Sequence, residues 1–201
     1  MIRILLAEDQ GMMRGALAKL LNLEQDMEVV ADVASGDLVL ESVRNFCPDV
    51  ALLDIEMPGM NGLDACAQLR KSVPFCKVVI LTTFGRPGYL RRAMESGASG
   101  FLVKDAPVAT LAVAIRRVMG GERVIDPDLA SAALGEGTNP LSDREQDVLR
   151  AANGGASVTE IAKRLYISQG TVRNHLSSAI QKLDTRNREQ AIHVAQMKGW
   201  I

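Results

Sequence analysis

The amino-acid sequence predicts a doubly wound, five-stranded parallel α/β sheet followed by an all-α module centred on a helix-turn-helix. Three observations lead there. In the first 120 residues, apolar runs of four to six residues alternate with helical stretches, the pattern of buried parallel strands in a βαβ series. Turn punctuation separates these units at Pro48-Asp49, Pro58-Gly59, Arg86-Pro87-Gly88 and Gly97. After residue 140 the strand-like runs cease. There Ser142 to Glu145 and Ser157 to Glu160 precede amphipathic stretches in the manner of helix capping boxes.

Taken in order, strands are expected over residues 2–7, 28–33, 50–53, 77–82 and 100–103, with helices over 12–22, 36–46, 62–71, 88–96 and 107–119. Met13, Leu17, Leu20 and Leu21 give the first helix an apolar stripe. These units make a domain over residues 1–120. Gly120-Gly121 closes its last helix, because glycine is favoured just past a helix terminus. Residues 121–139 are small and polar and read as a linker with one short helix over 127–134. A second domain over 140–201 holds four helices, at 143–153, 158–165, 169–183 and 188–198. Ser168 is placed to cap the third, and Asn187 to Gln190 repeats the capping pattern before the fourth.

A hydrophobic content of 47% supports true cores, and 3% aromatic residues makes their packing aliphatic. The net charge of −1 argues against a wholly basic nucleic-acid binder, but its distribution does not. From residue 156 to 201 seven Lys or Arg face three acids, a net of +4 that leaves −5 on the other 155 residues. That is the asymmetry of a basic reading head on an acidic body. Cys47, Cys66 and Cys76 are odd in number and lack a C-x-x-C pair, which points to reduced thiols and a cytoplasmic protein. No apolar run approaches the ~18–20 residues that span a bilayer, and Glu8-Asp9 comes too early for a signal-peptide core.

In a parallel sheet the carboxyl ends of the strands converge on one rim, where ligands bind. Glu8 and Asp9 follow the first apolar run, Asp54 ends the third, Thr82 and Thr83 end the fourth, and Lys104 follows the fifth. Three carboxylates, a hydroxyl and an ammonium are therefore expected to share one pocket. Carboxylates crowded together repel, so the site calls for a hard cation such as Mg²⁺. A carboxylate such as Asp54 is a usable nucleophile toward a phosphoryl group. Phosphoryl transfer needs in-line positioning and neutralised oxygens more than proton movement. Pleating turns only one of Thr82 and Thr83 inward, and which one is left open. Singly, each acid could be a solvated rim residue and Lys104 an exposed loop lysine; their conjunction carries the functional reading.

Glu8-Asp9, Asp54 within LLDIEMPGMNG, Thr82, and Lys104 within FLVKDAP resemble the receiver domain of two-component response regulators, over about residues 2–120. The resemblance implies a flavodoxin/CheY-like fold, Mg²⁺ held by Glu8, Asp9, Asp54 and the backbone carbonyl of Glu56, and phosphorylation of Asp54. It also makes Thr82 the switch hydroxyl, Phe101 the rotating aromatic and Lys104 the cation that senses the phosphoryl group. Phe101 lacks the hydroxyl of the commoner Tyr, and a plain core role is its alternative.

In the helical module, Val158, Ile161, Ala162 and Leu165 make one apolar face, and Val172, Leu176, Ile180 and Leu183 another. Two such helices joined by Tyr166-Ile167-Ser168 are a helix-turn-helix. The second helix is left with Gln169, Arg173, Asn174, Ser177 and Gln181 on its opposite face, side chains that hydrogen-bond base edges in the major groove. Lys182, Thr171 and Lys163 are candidates for phosphate contacts, and His175 for packing or a phosphate contact. The string from LSDREQ to SAIQKL resembles the LuxR-type DNA-binding domain, which implies base contacts from Arg173, Asn174 and Ser177.

Together the two halves resemble regulators of the NarL/FixJ class. That implies a sensor histidine kinase, homodimerisation on phosphorylation, double-stranded promoter DNA and RNA polymerase as partners, with no membrane insertion and no enzymatic turnover. LLNLEQDMEVVA, LTTFGRPGY and KGWI are further similar to DesR-like regulators of membrane-lipid desaturation. Two other functions compete. A phosphatase or dehalogenase would use Asp54 as nucleophile in D-x-D-x-T, but Asp54-Ile55-Glu56-Met57-Pro58 fails at the last position and no P-loop is present. A constitutive DNA binder with an inert first domain would ignore replacement of Asp54.

Overall fold

Strands buried on both faces read as unbroken apolar runs, and the central strands here are of that kind. The computed structural model describes residues 1–83, 87–105, 107–135 and 139–201. They fall into two compact units that divide near residue 131.

In the first unit, β1 (Ile2–Ala7), β2 (Met27–Val33), β3 (Val50–Asp54), β4 (Lys77–Thr82), β5 (Gly100–Val103) and β6 (Val124–Ile125) form one sheet in the order β2-β1-β3-β4-β5-β6. Every pairing is parallel. Helices α1 (Gly11–Leu21), α2 (Val39–Phe46), α3 (Gly62–Ser72), α4 (Pro87–Glu95) and α5 (Val108–Met119) follow the first five strands. The chain order reverses between β1 and β3, so their carboxyl ends flank the crevice in which open α/β sheets bind ligands. Ile4, Leu6, Val50, Leu52, Val79, Leu81 and Leu102 meet Leu17, Leu111 and Ile115 of α1 and α5 in one apolar cluster.

Three details differ from the sequence expectation. Leu20 is 40% exposed, and α1 buries Leu17 and Leu21 with Met13 half-buried; the stripe is narrower than its spacing suggested. Residues 36–38 form a 3₁₀ turn ahead of α2 instead of its first turn. β6 is a sixth strand inside the stretch expected as a linker, where the Val124 amide donates to the Ser99 carbonyl (3.0 Å) and that of Asp126 to Phe101 (3.1 Å). Two residues are too few to show a strand period. The short helix that follows, α6, spans Pro127–Gly135. The cysteines are free thiols, and burial pushes those of Cys66 and Cys76 up to about 12.

The second unit holds α7 (Asp143–Ala152), α8 (Val158–Leu165), α9 (Gln169–Lys182) and α10 (Arg188–Met197). Ser142 and Ser157 make full capping boxes with Glu145 and Glu160, and Ser168 caps α9 by accepting from the Thr171 amide at 3.0 Å. The third box is only half made. Asn187 accepts from the Gln190 amide, but the Gln190 side chain reaches past the cap to the Arg186 amide. Val148, Leu149, Ile161, Val172, Leu176 and Ala179 form the core, joined by Trp200 and Ile201. Among the described residues, no helix is long and apolar enough to cross a membrane.

Candidate functional site

Because β1 and β3 end side by side, Glu8 and Asp54 emerge at the same level of the rim. Glu8 is completely buried and Asp54 nearly so. Asp9 is exposed, yet Glu8, Asp9 and Asp54 each bring a carboxylate oxygen within 4.8 Å of the others. The Lys104 ammonium lies between two of them, 2.6 Å from Glu8 Oε2 and 2.8 Å from Asp54 Oδ2. These are ion pairs by distance, but neither Lys104 Nζ nor Glu8 Oε2 has an aligned hydrogen-bond partner. The other Glu8 oxygen accepts from the Gln10 amide at 3.2 Å.

The electrostatics follow from burial. Loss of solvent raises the Glu8 carboxyl above the usual glutamate range, against the lowering pull of Lys104. For Lys104 burial alone would lower the ammonium, but Asp54 and Glu8 outweigh it and hold it above the usual lysine range. Two buried carboxylates and one buried ammonium leave a deficit of positive charge, before Asp9 is counted. All the nearby donors are oxygens, and one buried oxygen lacks an aligned donor, so the residues fit a hard divalent cation.

The open side of this site is a polar pocket lined by Asp9, Gln10, Asp54, Glu56, Thr82 and Thr83. Thr82 is buried and Thr83 exposed, yet both line it, because Thr83 lies beyond the end of β4 where pleating no longer sets direction. Phe101 is wholly buried on β5, opposite Ile80 of β4. The structure thus brings Glu8, Asp9, Asp54, Glu56, Thr82 and Lys104 to one rim and leaves Phe101 inside the sheet layer.

Two supporting residues escaped the sequence reading. Arg14 donates to the Glu8 carbonyl at 2.7 Å and to Asp32 Oδ2 at 2.8 Å, pinning the loop that carries the acids. No local signal marks it, since its partners lie on two different strand ends. Gly62 is the other: a Cβ there would lie 1.9 Å from the Asp54 carbonyl oxygen. Its place directly before the apolar turn of α3 was the available hint.

In the second unit Gln169, Arg173, Asn174, Ser177 and Gln181 are all exposed on α9, while Val172, Leu176 and Ala179 are buried. Arg173 and Gln169 lie 3.5 Å apart at Nη2 and Oε1. The Thr171 hydroxyl is 2.8 Å from Ser168 Oγ, within the cap of α9. Lys163 is exposed, and His175 is half-buried at the edge of the face. Lys182 is exposed too, with its ammonium 2.8 Å from Glu145 Oε2 of the same unit.

Comparison with known proteins assigns a family to each of the two domains. Residues 4–116 match the response regulator receiver domain family, and residues 139–195 match the bacterial regulatory proteins of the luxR family. Over 201 residues, and the full length of each, the chain is 48% identical to the transcriptional regulatory protein DesR of Bacillus subtilis (strain 168). It is 47% identical, on the same coverage, to the uncharacterized transcriptional regulatory protein YvfU of that strain. The crystal structure of the response regulator ChrA of a heme-sensing two-component system is 32% identical, with a TM-score of 0.60 over 100% of this chain and 98% of that one.

Proposed function

The chain belongs to the response regulators that join a receiver domain to a luxR-family DNA-binding domain, and on that premise we propose that Asp54 accepts the phosphoryl group. The protein is a phosphorylation-dependent, DNA-binding transcriptional regulator of a two-component system, and not an enzyme. The phosphatase alternative lapses with that membership. Similarity to DesR is matched by similarity to YvfU, so it selects no particular set of target genes.

The observation that carries the assignment of Asp54 is its place at the β1/β3 crevice, nearly buried, with Lys104 on one side and the polar pocket on the other. A carboxylate oxygen of Asp54 attacks phosphorus, and the bond to the donor nitrogen of a kinase histidine breaks. Glu8, Asp9 and Asp54, with the Glu56 carbonyl, would hold Mg²⁺, which when bound neutralises charge on the transferring oxygens. Lys104 exchanges a carboxylate partner for a phosphoryl oxygen, and the Thr82 hydroxyl donates to another. Phe101, opposite Ile80 on the neighbouring strand, moves with that hydroxyl.

Residues 1–120, extended by β6, serve as the phosphoacceptor domain, the stretch from there to residue 139 as the linker and 140–201 as the reading head. In the reading head Arg173, Asn174, Ser177 and Gln169 face base edges, with Thr171 and Lys163 toward phosphates. Phosphorylation promotes a homodimer in the cytoplasm that binds two DNA half-sites and engages RNA polymerase. Incubation with acetyl phosphate and Mg²⁺ tests the acceptor: the wild-type chain gains one phosphoryl group by intact mass, and Asp54→Ala gains none. A label kept by Asp54→Ala would mean that a different carboxylate is the acceptor.

A further inference from the structure

Glu145 is the buried carboxylate of the helical unit, and its contacts reach well beyond the helix cap it closes. Oε2 accepts from the Ser142 amide at 2.7 Å, completing the capping box of α7, and lies 2.8 Å from Lys182 Nζ. Oε1 accepts from the Ser178 hydroxyl at 2.6 Å. Ser178 and Lys182 stand one turn apart on α9, so a single carboxylate rooted in α7 grips the second half of the helix that carries Arg173, Asn174 and Ser177. Val148 and Leu149 of α7 and Val172, Leu176 and Ala179 of α9 otherwise meet in the unit's apolar core. Apolar packing is non-directional and leaves a helix some freedom to slide or turn, whereas hydrogen bonds fix distance and angle. Reading a base edge through paired hydrogen bonds tolerates little displacement of the helix.

We propose that Glu145 is a positioning residue for base recognition, and that Lys182 serves this clamp and is not a phosphate contact. The inference rests on the DNA-reading role of α9 proposed above. It reassigns Lys182, whose terminal position on α9 and positive charge had suggested the DNA backbone. The exposed Lys182 pairs with a carboxylate held well below its usual range: burial opposes that shift, but Lys182, Ser178 and the Ser142 cap overcome it.

The test uses the full-length chain treated with acetyl phosphate. A duplex is selected from a random-sequence pool with the wild-type protein, and Kd is measured on it and on a scrambled duplex of equal length across a salt series. Glu145→Gln and Lys182→Met are each expected to cut the ratio of scrambled to selected Kd about tenfold, the loss of one well-made base contact. The salt slope on the scrambled duplex should stay at the wild-type value, and Lys182→Arg should keep the ratio. If Glu145→Gln fails to fold, judged by far-UV circular dichroism, Lys182→Met and Ser178→Ala carry the comparison. A Lys182→Met protein with an intact ratio and a salt slope shallower by about 0.9 would overturn the clamp, because that is the mark of one lost phosphate contact. A wild-type chain that prefers no duplex over the scrambled one would instead remove the DNA-reading role itself.

Discussion

At the scale of single residues, the rim site is a contest for two carboxylates. Lys104 holds Glu8 and Asp54 at 2.6 and 2.8 Å, and a divalent ion bound by the same oxygens must share them with that ammonium. Unit charges this close interact by roughly 6 kcal/mol at an effective dielectric of 20. Lys104→Met should therefore strengthen Mg²⁺ binding, on the order of tenfold, in a calorimetric titration. Unchanged or weaker binding would show that the ammonium and the ion do not compete. The charged members of this site were legible because each ends an apolar run. The side-chain environment was not: nothing in the sequence says that Glu8 is wholly buried while adjacent Asp9 is exposed, or that Thr82 and Thr83 both reach the pocket.

At the scale of elements, close approach of backbones decides where Asp54 sits. The Gly62 amide donates to the Ile55 carbonyl at 3.0 Å, and its missing side chain lets the start of α3 pass over the end of β3. Gly62→Ala would put a Cβ 1.9 Å from one backbone atom of Asp54 and 2.8 Å from another, neither of which can rotate away. Overpacking of that kind costs about 3 kcal/mol, and urea unfolding should show a loss of that size together with slower labelling of Asp54. The caps of α7 and α8 were readable from the sequence because a capping box is a local pattern. β6 and the grip of Glu145 on α9 were not, since both are long-range pairings whose partners lie 24 and 33 or more positions away.

The Glu145 grip also sets a pH dependence. Its carboxyl is lowered from 4.5 to about 2: burial raises it, but Lys182, Ser178 and the Ser142 amide lower it more. A depressed carboxyl contributes stability that is present above its unfolded value and is lost as pH falls through its folded value. The helical unit should accordingly lose stability between about pH 4.5 and pH 2, and the loss should be smaller in Glu145→Gln. Thermal unfolding of the two chains followed across that range checks it. Parallel pH profiles would mean that another group dominates acid unfolding.

For the whole molecule, charge and chemistry are divided between the two units. The acids that would take up a cation and a phosphoryl group lie in the first, and the net +4 that suits DNA lies in residues 156–201 of the second. Phosphorylation of the proposed acceptor Asp54 would add negative charge there, which cannot by itself improve attraction to a polyanion. Its effect on DNA binding must come through a change of assembly or of conformation. If the change is dimerisation, two reading heads bind one duplex, and the second binds at high effective concentration. Acetyl phosphate should then move the chain from a monomer to a dimer elution position in size-exclusion chromatography with light scattering, and raise affinity for a two-half-site duplex far more than for a single half-site. Asp54→Ala should do neither. Equal binding of both duplexes by the phosphorylated and Asp54→Ala chains would instead identify a constitutive DNA binder whose rim site has no part in its output.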